Sequence, residues 1–292
     1  MKKQSIVVLT GATSGLGQLV AAELAKRGVH LVLTARSKSK AEETMSMLKS
    51  INPEAKVDFF YGDLSSMKDV KRIGDEINST YPNIDVLINN AGLHAFEQRI
   101  TEDGFSEMIA VNYLAPWLLT YILQETLIKS GEATVVNVAS EASRNHGILK
   151  LPEDLTDTST FTARESSKLY GKTKLLNIMF TGELARLFVG TGVTVNALNP
   201  GFNVTGLGRE LAFASVLERI LNLLHIGDPH RGADIIVRLA TDTKYKEVTG
   251  GYFNVGTGKA INPSYPCGDE GLENKLWTYT KEIFKLRGIL QK

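Results

Sequence analysis

The stretch SKLYGKTK (residues 167–174) places three lysines close to one tyrosine. On a helix, residues four apart share a face and residues two apart do not, so Lys174 lies beside Tyr170 while Lys168 and Lys172 point elsewhere. A fixed ammonium beside a phenol favours the phenolate and lowers its pKa from about 10. That is what a proton-transfer group working near neutrality requires. The same spacing arises by chance on solvated helix faces, so the pair gains meaning only from its surroundings.

A second chemical signal is TGATSGLG (10–17), which follows the apolar run IVVL and precedes an amphipathic pattern from Leu16 to Arg27. Between a strand and a helix, Gly11 permits the tight turn, Gly15 lets backbone approach a diphosphate, and Gly17 allows close helix packing. Thr13 and Ser14 add hydroxyl donors, and the amides of the helix start, from Leu16 on, attract the anion. The residue about 20 positions beyond such a turn selects the nucleotide. The second apolar run here ends LVLTAR, with no acid and with Arg36 followed by Ser37, Lys38 and Lys40. A guanidinium fork suits a ribose phosphate, so NADP(H) is expected in preference to NAD(H).

These residues need a frame. Short β-branched runs occur at 6–9, 31–34, 57–60, 86–89, 134–138 and 193–198, with helical patterns between them, and a last run lies at 251–255. Runs apolar on both faces belong to parallel strands covered on both sides. The order predicts an α/β fold with a doubly wound parallel sheet of about seven strands and helices on both faces, as one domain over 1–292. Region 141–163, rich in Ser, Thr, Asp and Glu, reads as a surface excursion before the helix of Tyr170.

Composition narrows the partners. Hydrophobic residues make up 43% of the 292, and the formal net charge is +1, which suits a large core and no nucleic-acid partner. The single Cys267 excludes an intrachain disulfide. No secretory signal and no membrane span is read from the chain, so a soluble, cytoplasmic protein is expected. The five histidines show no metal-ligand spacing, so no metal is expected, and no candidate serine stands in a GxSxG turn.

Four more stretches fall at strand ends: GDL (62–64), NNAG (89–92), NVAS (137–140) and NPGFNVT (199–205). With TGATSGLG, Asn112, Tyr170 and Lys174, they make the chain resemble a short-chain dehydrogenase/reductase of the single-domain type, a Rossmann fold. Within that family, TEDGFSEMIAVNYLAPWLLT (101–120), KLLNIMFTGELARLF (174–188), LTARSK (33–38), GGYFNVG (250–256) and KLWTYTKEIF (275–284) are similar to the retinol-dehydrogenase-like group. The resemblance implies that Asp63 and Leu64 neighbour the adenine, and that Asn90, Ala91 and Gly92 follow the adenosine ribose. It also implies that Pro200, Gly201 and Thr205 border the nicotinamide.

The same resemblance implies that Tyr170 is the general acid for reduction and the general base for oxidation, with Lys174 lowering its pKa and holding the nicotinamide ribose. Ser140 would stabilise charge developing on the substrate oxygen, with Ser143 its nearest rival. For Asn112 two roles stand: holding a water that links Lys174 to solvent, or satisfying an irregular helix backbone. Gly171 costs helix stability and suggests a close approach by cofactor or substrate. The segment 202–228 is apolar enough to be a substrate lid, pointing to a hydrophobic ketone, aldehyde or alcohol. Helices containing Pro116 to Ile128 and Leu175 to Leu187 are apolar enough to build a homo-oligomer. The expected activity is NADP(H)-dependent carbonyl reductase or alcohol dehydrogenase. The rivals are a catalytically silent NADP(H)-binding interaction or redox-sensing protein and a cofactor-assisted dehydration or isomerisation.

Overall fold

The computed structural model describes residues 4–201 and 228–291. The lid segment expected at 202–228 and Thr205 therefore lie outside the described residues, Asp228 excepted. Seven parallel strands form one sheet in the order β3-β2-β1-β4-β5-β6-β7. They are β1 (Ile6–Leu9), β2 (His30–Ala35), β3 (Lys56–Tyr61), β4 (Val86–Asn89), β5 (Thr134–Val138), β6 (Thr194–Asn199) and β7 (Tyr252–Asn254). The order reverses direction between β1 and β4, so the turns after those strands open onto one crevice, where ligands of such sheets bind.

Side-chain alternation explains how each strand serves two cores. Val8 and Val32 face one cluster, with Met67, Ile73, Trp117, Leu175 and Phe284. Val7, Leu9, Leu31 and Leu33 face the other, with Val20, Leu24, Leu48, Ile236 and Leu239. The first cluster is covered by α3 (Met67–Thr80), α5 (Ala115–Ile128), α6 (Ala163–Leu187) and α8 (Glu270–Leu286). The second lies under α1 (Gly15–Lys26), α2 (Lys38–Ile51) and α7 (Pro229–Thr241). A buried polar ladder ties the sheet to the first layer. Asn89 Nδ2 donates to Asn137 Oδ1 (2.8 Å) and Thr120 Oγ1 (3.1 Å), and Asn137 Nδ2 donates to Thr181 Oγ1 (2.9 Å).

Three local features go beyond the sequence reading. The helical stretch around Asn112 is not regular: a short α4 (Glu107–Ile109) passes into a π-turn at Ala110–Leu114 before α5. The excursion 141–163 contains 3-10 turns at Glu141–Asn145 and Glu153–Leu155. It is pinned to α6 where Lys172 Nζ meets Asp154 Oδ1 at 2.6 Å, both side chains largely buried. Finally, α8 of the same chain packs on α5 and α6, the helices read as apolar enough to build a homo-oligomer. Trp277 packs on Trp117 at 4.6 Å and on Phe180 at 6.1 Å, Tyr113 Oη and Thr280 Oγ1 share a hydrogen bond of 2.8 Å, and Arg186 reaches Glu273 at 2.7 Å. Apolar helix faces need a cover, and the chain's own C-terminal helix supplies it.

Candidate active site

The glycine turn leaves β1 at Leu9 and enters α1 at Gly15. Gly11 and Gly15 hold φ of +71° and +54°, values that favour glycine. A Cβ on Gly17 would fall on the Gly11 carbonyl oxygen and within 2.5 Å of Asn90 Nδ2. The turn therefore closes on the NNAG loop as well as on its own helix. Thr10 is the fastener: its Oγ1 accepts from the amides of Asn90 and Ala91, both at 3.0 Å, while Asn90 Nδ2 donates to Thr10 O at 2.9 Å. Ser14, the residue before the helix, makes no side-chain capping bond, and Thr13 lies in the same turn.

Arg36 stands at the end of β2, its side chain 76% exposed, and one long contact of 3.3 Å joins it to Asp63 Oδ2. Partial burial works to raise the Asp63 carboxyl, but hydrogen bonds from Ser65 and from Arg36 outweigh it and hold the group below the usual carboxylate range. Leu64 beside it packs on the core. Helix α2 starts just past Arg36, capped by Ser37, and carries no acid in its first turn.

The NNAG loop spans the crevice. Asn90 lies at the glycine turn, whereas a Cβ on Gly92 would come 3.3 Å from both Lys174 Nζ and Asn112 Oδ1. Gly92 thus sits at the lysine end of the crevice. Asn112 Oδ1 accepts from the Leu93 amide (2.8 Å), and its Nδ2 donates to Leu93 O (2.9 Å) and Thr173 Oγ1 (3.0 Å). The irregular helix is present at Asn112, but the side chain serves the loop after NNAG instead of its own helix backbone.

Tyr170 and Lys174 share a face of α6, as their spacing demands. The Ser140 hydroxyl, at the end of β5, lies beside the Tyr170 phenol and works to lower its pKa, while Ser143 is wholly buried beside Tyr252. Ser140 is therefore the serine presented to Tyr170. Lys174 Nζ donates to Val138 O at 2.9 Å and lies 5.7 Å from the Tyr170 ring centre. Burial pushes the Tyr170 phenol up to about 12, with the nearby Ser140 hydroxyl pulling the other way, and pushes Lys174 down to about 8. The lowered phenol pKa expected from the Tyr–Lys spacing is reversed, because both groups lose water together. At neutral pH the pair is a phenol beside an ammonium.

Gly171 has a structural explanation. A Cβ there would lie 2.6 Å from the Asn145 carbonyl oxygen and closer still to that of Ala142. The close approach is made by the turn that follows Ser140, not by a ligand.

Other site residues carried no motif. The His94 ring stacks on Tyr170 at 4.7 Å and 19°, and its only sequence signal is a histidine shortly after NNAG. Asn199 Oδ1 accepts from the amides of Glu141 (3.3 Å) and Gly201 (3.2 Å), and its Nδ2 donates to Asn254 Oδ1 (2.8 Å), joining β6, β7 and the Ser140 turn. The signal there was a polar residue ending an apolar strand. Gly201 has φ +83° and closes on Val255, with Pro200 before it at the end of β6. No helix among the described residues is long and apolar enough to cross a membrane.

Comparison with known proteins agrees with this geometry. The family described as short chain dehydrogenase matches residues 5–151. Human retinol dehydrogenase 14 is 33% identical over 96% of this chain and 86% of its own length, and human polyprenol dehydrogenase is 31% identical over 95% and 84%. Among solved structures, an uncharacterised protein from Mycobacterium paratuberculosis superposes with a TM-score of 0.75 at 27% identity, covering 97% of this chain and 94% of that one. L-Sorbose reductase from Gluconobacter frateurii, solved with NADPH and L-sorbose, gives a TM-score of 0.69 at 20% identity, covering 90% and 98%, and supports the fold alone. With a parallel seven-stranded sheet, the glycine turn and these relatives, the chain belongs to the short-chain dehydrogenase family and is an oxidoreductase of the retinol-dehydrogenase-like group.

Proposed function

We propose that this chain is an NADP(H)-dependent oxidoreductase that interconverts a hydrophobic ketone or aldehyde and its alcohol. The carrying observation is the Ser140 hydroxyl beside the Tyr170 phenol, with the buried Lys174 ammonium on the same helix face, 5.7 Å from the phenol ring centre. The turn of Gly11, Thr13, Ser14, Gly15, Leu16 and Gly17 would hold the diphosphate, since a side chain at Gly17 would fill the cradle. Asp63, Leu64, Asn90 and Ala91 would flank the adenosine, and Gly92, Lys174, Pro200, Gly201 and Thr205 the nicotinamide end. Arg36, largely exposed and beside an acid-free helix start, favours a ribose phosphate over a free hydroxyl.

In reduction the carbonyl carbon would receive its hydride from a reduced nicotinamide held by these residues. Tyr170 gives its phenol proton to the carbonyl oxygen, and Ser140 donates a hydrogen bond to that oxygen as charge develops on it, a contribution of about 3 kcal/mol in comparable sites. The phenolate left behind is stabilised by the Lys174 ammonium, whose pKa of about 8 keeps it mostly protonated at neutral pH. Asn112 holds the loop of Gly92 and Leu93 against Lys174. Retinol and polyprenol dehydrogenases, named for lipophilic alcohols, support an apolar substrate. A cytoplasmic location is part of the proposal, where a lone thiol such as Cys267 stays reduced.

The test is loss of NADPH absorbance with all-trans-retinal and a panel of apolar aromatic ketones and aldehydes, for the wild type and Tyr170→Phe. Turnover by the wild type and its loss in the variant, with NADPH still bound, is the expected result. Tight NADPH binding without turnover across the panel would favour the silent binding protein instead.

A further inference from the structure

His94 belongs to none of the motifs, yet it makes the most direct ring contact with the proposed proton donor. It lies on the loop after β4, half-buried, with its ring stacked on Tyr170 (4.7 Å, 19°) on one side and packed against Phe96 (4.5 Å, 31°). Its Nε2 meets Ser166 Oγ at 2.8 Å, and Ser166, wholly buried, donates its own proton to Ala95 O at 2.6 Å. With that proton committed, Ser166 accepts from His94, so Nε2 carries the hydrogen. Ser166 and Tyr170 are four residues apart on α6 and share a face. One imidazole is thus held to the helix at two points one turn apart: by a hydrogen bond at Ser166 and by ring stacking at Tyr170.

We infer that His94 is a positioning residue for Tyr170. A phenol has two soft torsions, and its oxygen reaches Ser140 and a substrate oxygen only while the ring keeps its plane. Offset stacking fixes that plane. The Ser166 bond fixes the imidazole that does so, and Phe96 packs against the same imidazole. The same wall keeps water off the ring face, in line with the burial that raises the phenol pKa. His94 transfers no proton in this scheme. It acts through Tyr170, and the inference rests on the catalytic reading above.

The stack and the hydrogen bond can be separated. His94→Phe keeps the ring and loses the Ser166 bond, whereas His94→Leu loses both. With NADPH and the best carbonyl of the panel, His94→Leu is expected to lower kcat about 10- to 100-fold, as a misplaced reacting group does, with Kd for NADPH unchanged. The solvent deuterium isotope effect on kcat should rise in His94→Leu, because proton transfer from a wandering phenol becomes limiting. His94→Phe should recover to within about threefold of wild type, the residue of a stacking contact kept without its anchor. Wild-type kcat and isotope effect in His94→Leu would overturn the inference, as would a fall in His94→Phe equal to that in His94→Leu. A second readout needs no turnover: in chains labelled with carbon-13 tyrosine and assigned with Tyr170→Phe, the Tyr170 ring should flip faster in His94→Leu than in the wild type or His94→Phe. Equal ring dynamics in all three would overturn the assignment even if no panel carbonyl is reduced. A wild type that turns over nothing while this ring behaviour holds would instead locate the failure in the catalytic reading.

Discussion

Replacing Gly171 with alanine sets two effects of known sign against each other. Alanine gains up to about 1 kcal/mol in a helix interior relative to glycine, so an isolated helix carrying Gly171→Ala would be more stable. In the folded chain the new methyl would stand 2.6 Å from the Asn145 carbonyl oxygen and nearer still to that of Ala142. Ordinary contacts to carbon begin at about 3.5 Å, so the turn Glu141–Asn145 must retreat by about 1 Å. Both oxygens are backbone, and no side chain can swing aside. Overpacking of this kind costs about 1–3 kcal/mol, which outweighs the helix gain. The displaced turn begins at Ser140, so the Ser140 hydroxyl leaves the Tyr170 phenol by a comparable distance, and a shift of that size costs about 100-fold in rate. Urea unfolding should show a loss of about 1 kcal/mol, and turnover should fall about 100-fold with little change in Kd for NADPH. A Gly171→Ala chain that is more stable than the wild type and retains its kcat would refute the close packing of the turn on α6.

Two further perturbations test the electrostatics of α6. Lys174 has a folded pKa lowered to about 8 from 10.5, so its charge is paid for by the fold at pH below 8, and stability rises with pH between 8 and 10.5 as the folded state sheds the proton first. Lys174→Met removes that dependence: relative to the wild type, the variant should gain up to about 3 kcal/mol at neutral pH, less about 1 kcal/mol for the unpaired Val138 carbonyl, and the advantage should shrink by pH 10 while activity is lost at every pH. Urea unfolding of both chains at several pH values checks this, and parallel pH curves would contradict it. Asp154→Asn leaves the mostly buried Lys172 ammonium without its carboxylate partner, at a cost of about 3 kcal/mol. Limited proteolysis should then cut between residues 147 and 160, with an intact wild type as the control.

What the sequence disclosed and what it withheld divide along a physical line. Strand positions were legible because a buried parallel strand is written as a local apolar run, and all seven runs coincide with strands to within a residue or two. The glycine turn was legible for a related reason, since φ near +71° at Gly11 and +54° at Gly15 is a property of the residue itself. Partners distant in sequence were not. Lys172 was read as pointing away from Tyr170, correctly, but its destination lies 18 positions back, across a loop of no fixed period. The apolar faces of α5 and α6 were equally visible, yet periodicity announces only that a face needs cover and not whether Trp277 of the same chain or a second subunit provides it.

The pKa expectation failed on the same line, because a spacing of four predicts proximity but carries no information about water. Tyr170 and Lys174 are neighbours as expected, and their shifts run opposite to what a neighbouring charge alone would cause, because the fold buries both. That burial is assembled from the loop after β4, which carries both NNAG and His94, and from the Ser140 turn, two segments that no local pattern links. A proton donor in this chain is therefore a property of two segments converging on one helix face, and Gly171 and His94 are positions at which that convergence can be disturbed without replacing Tyr170 itself.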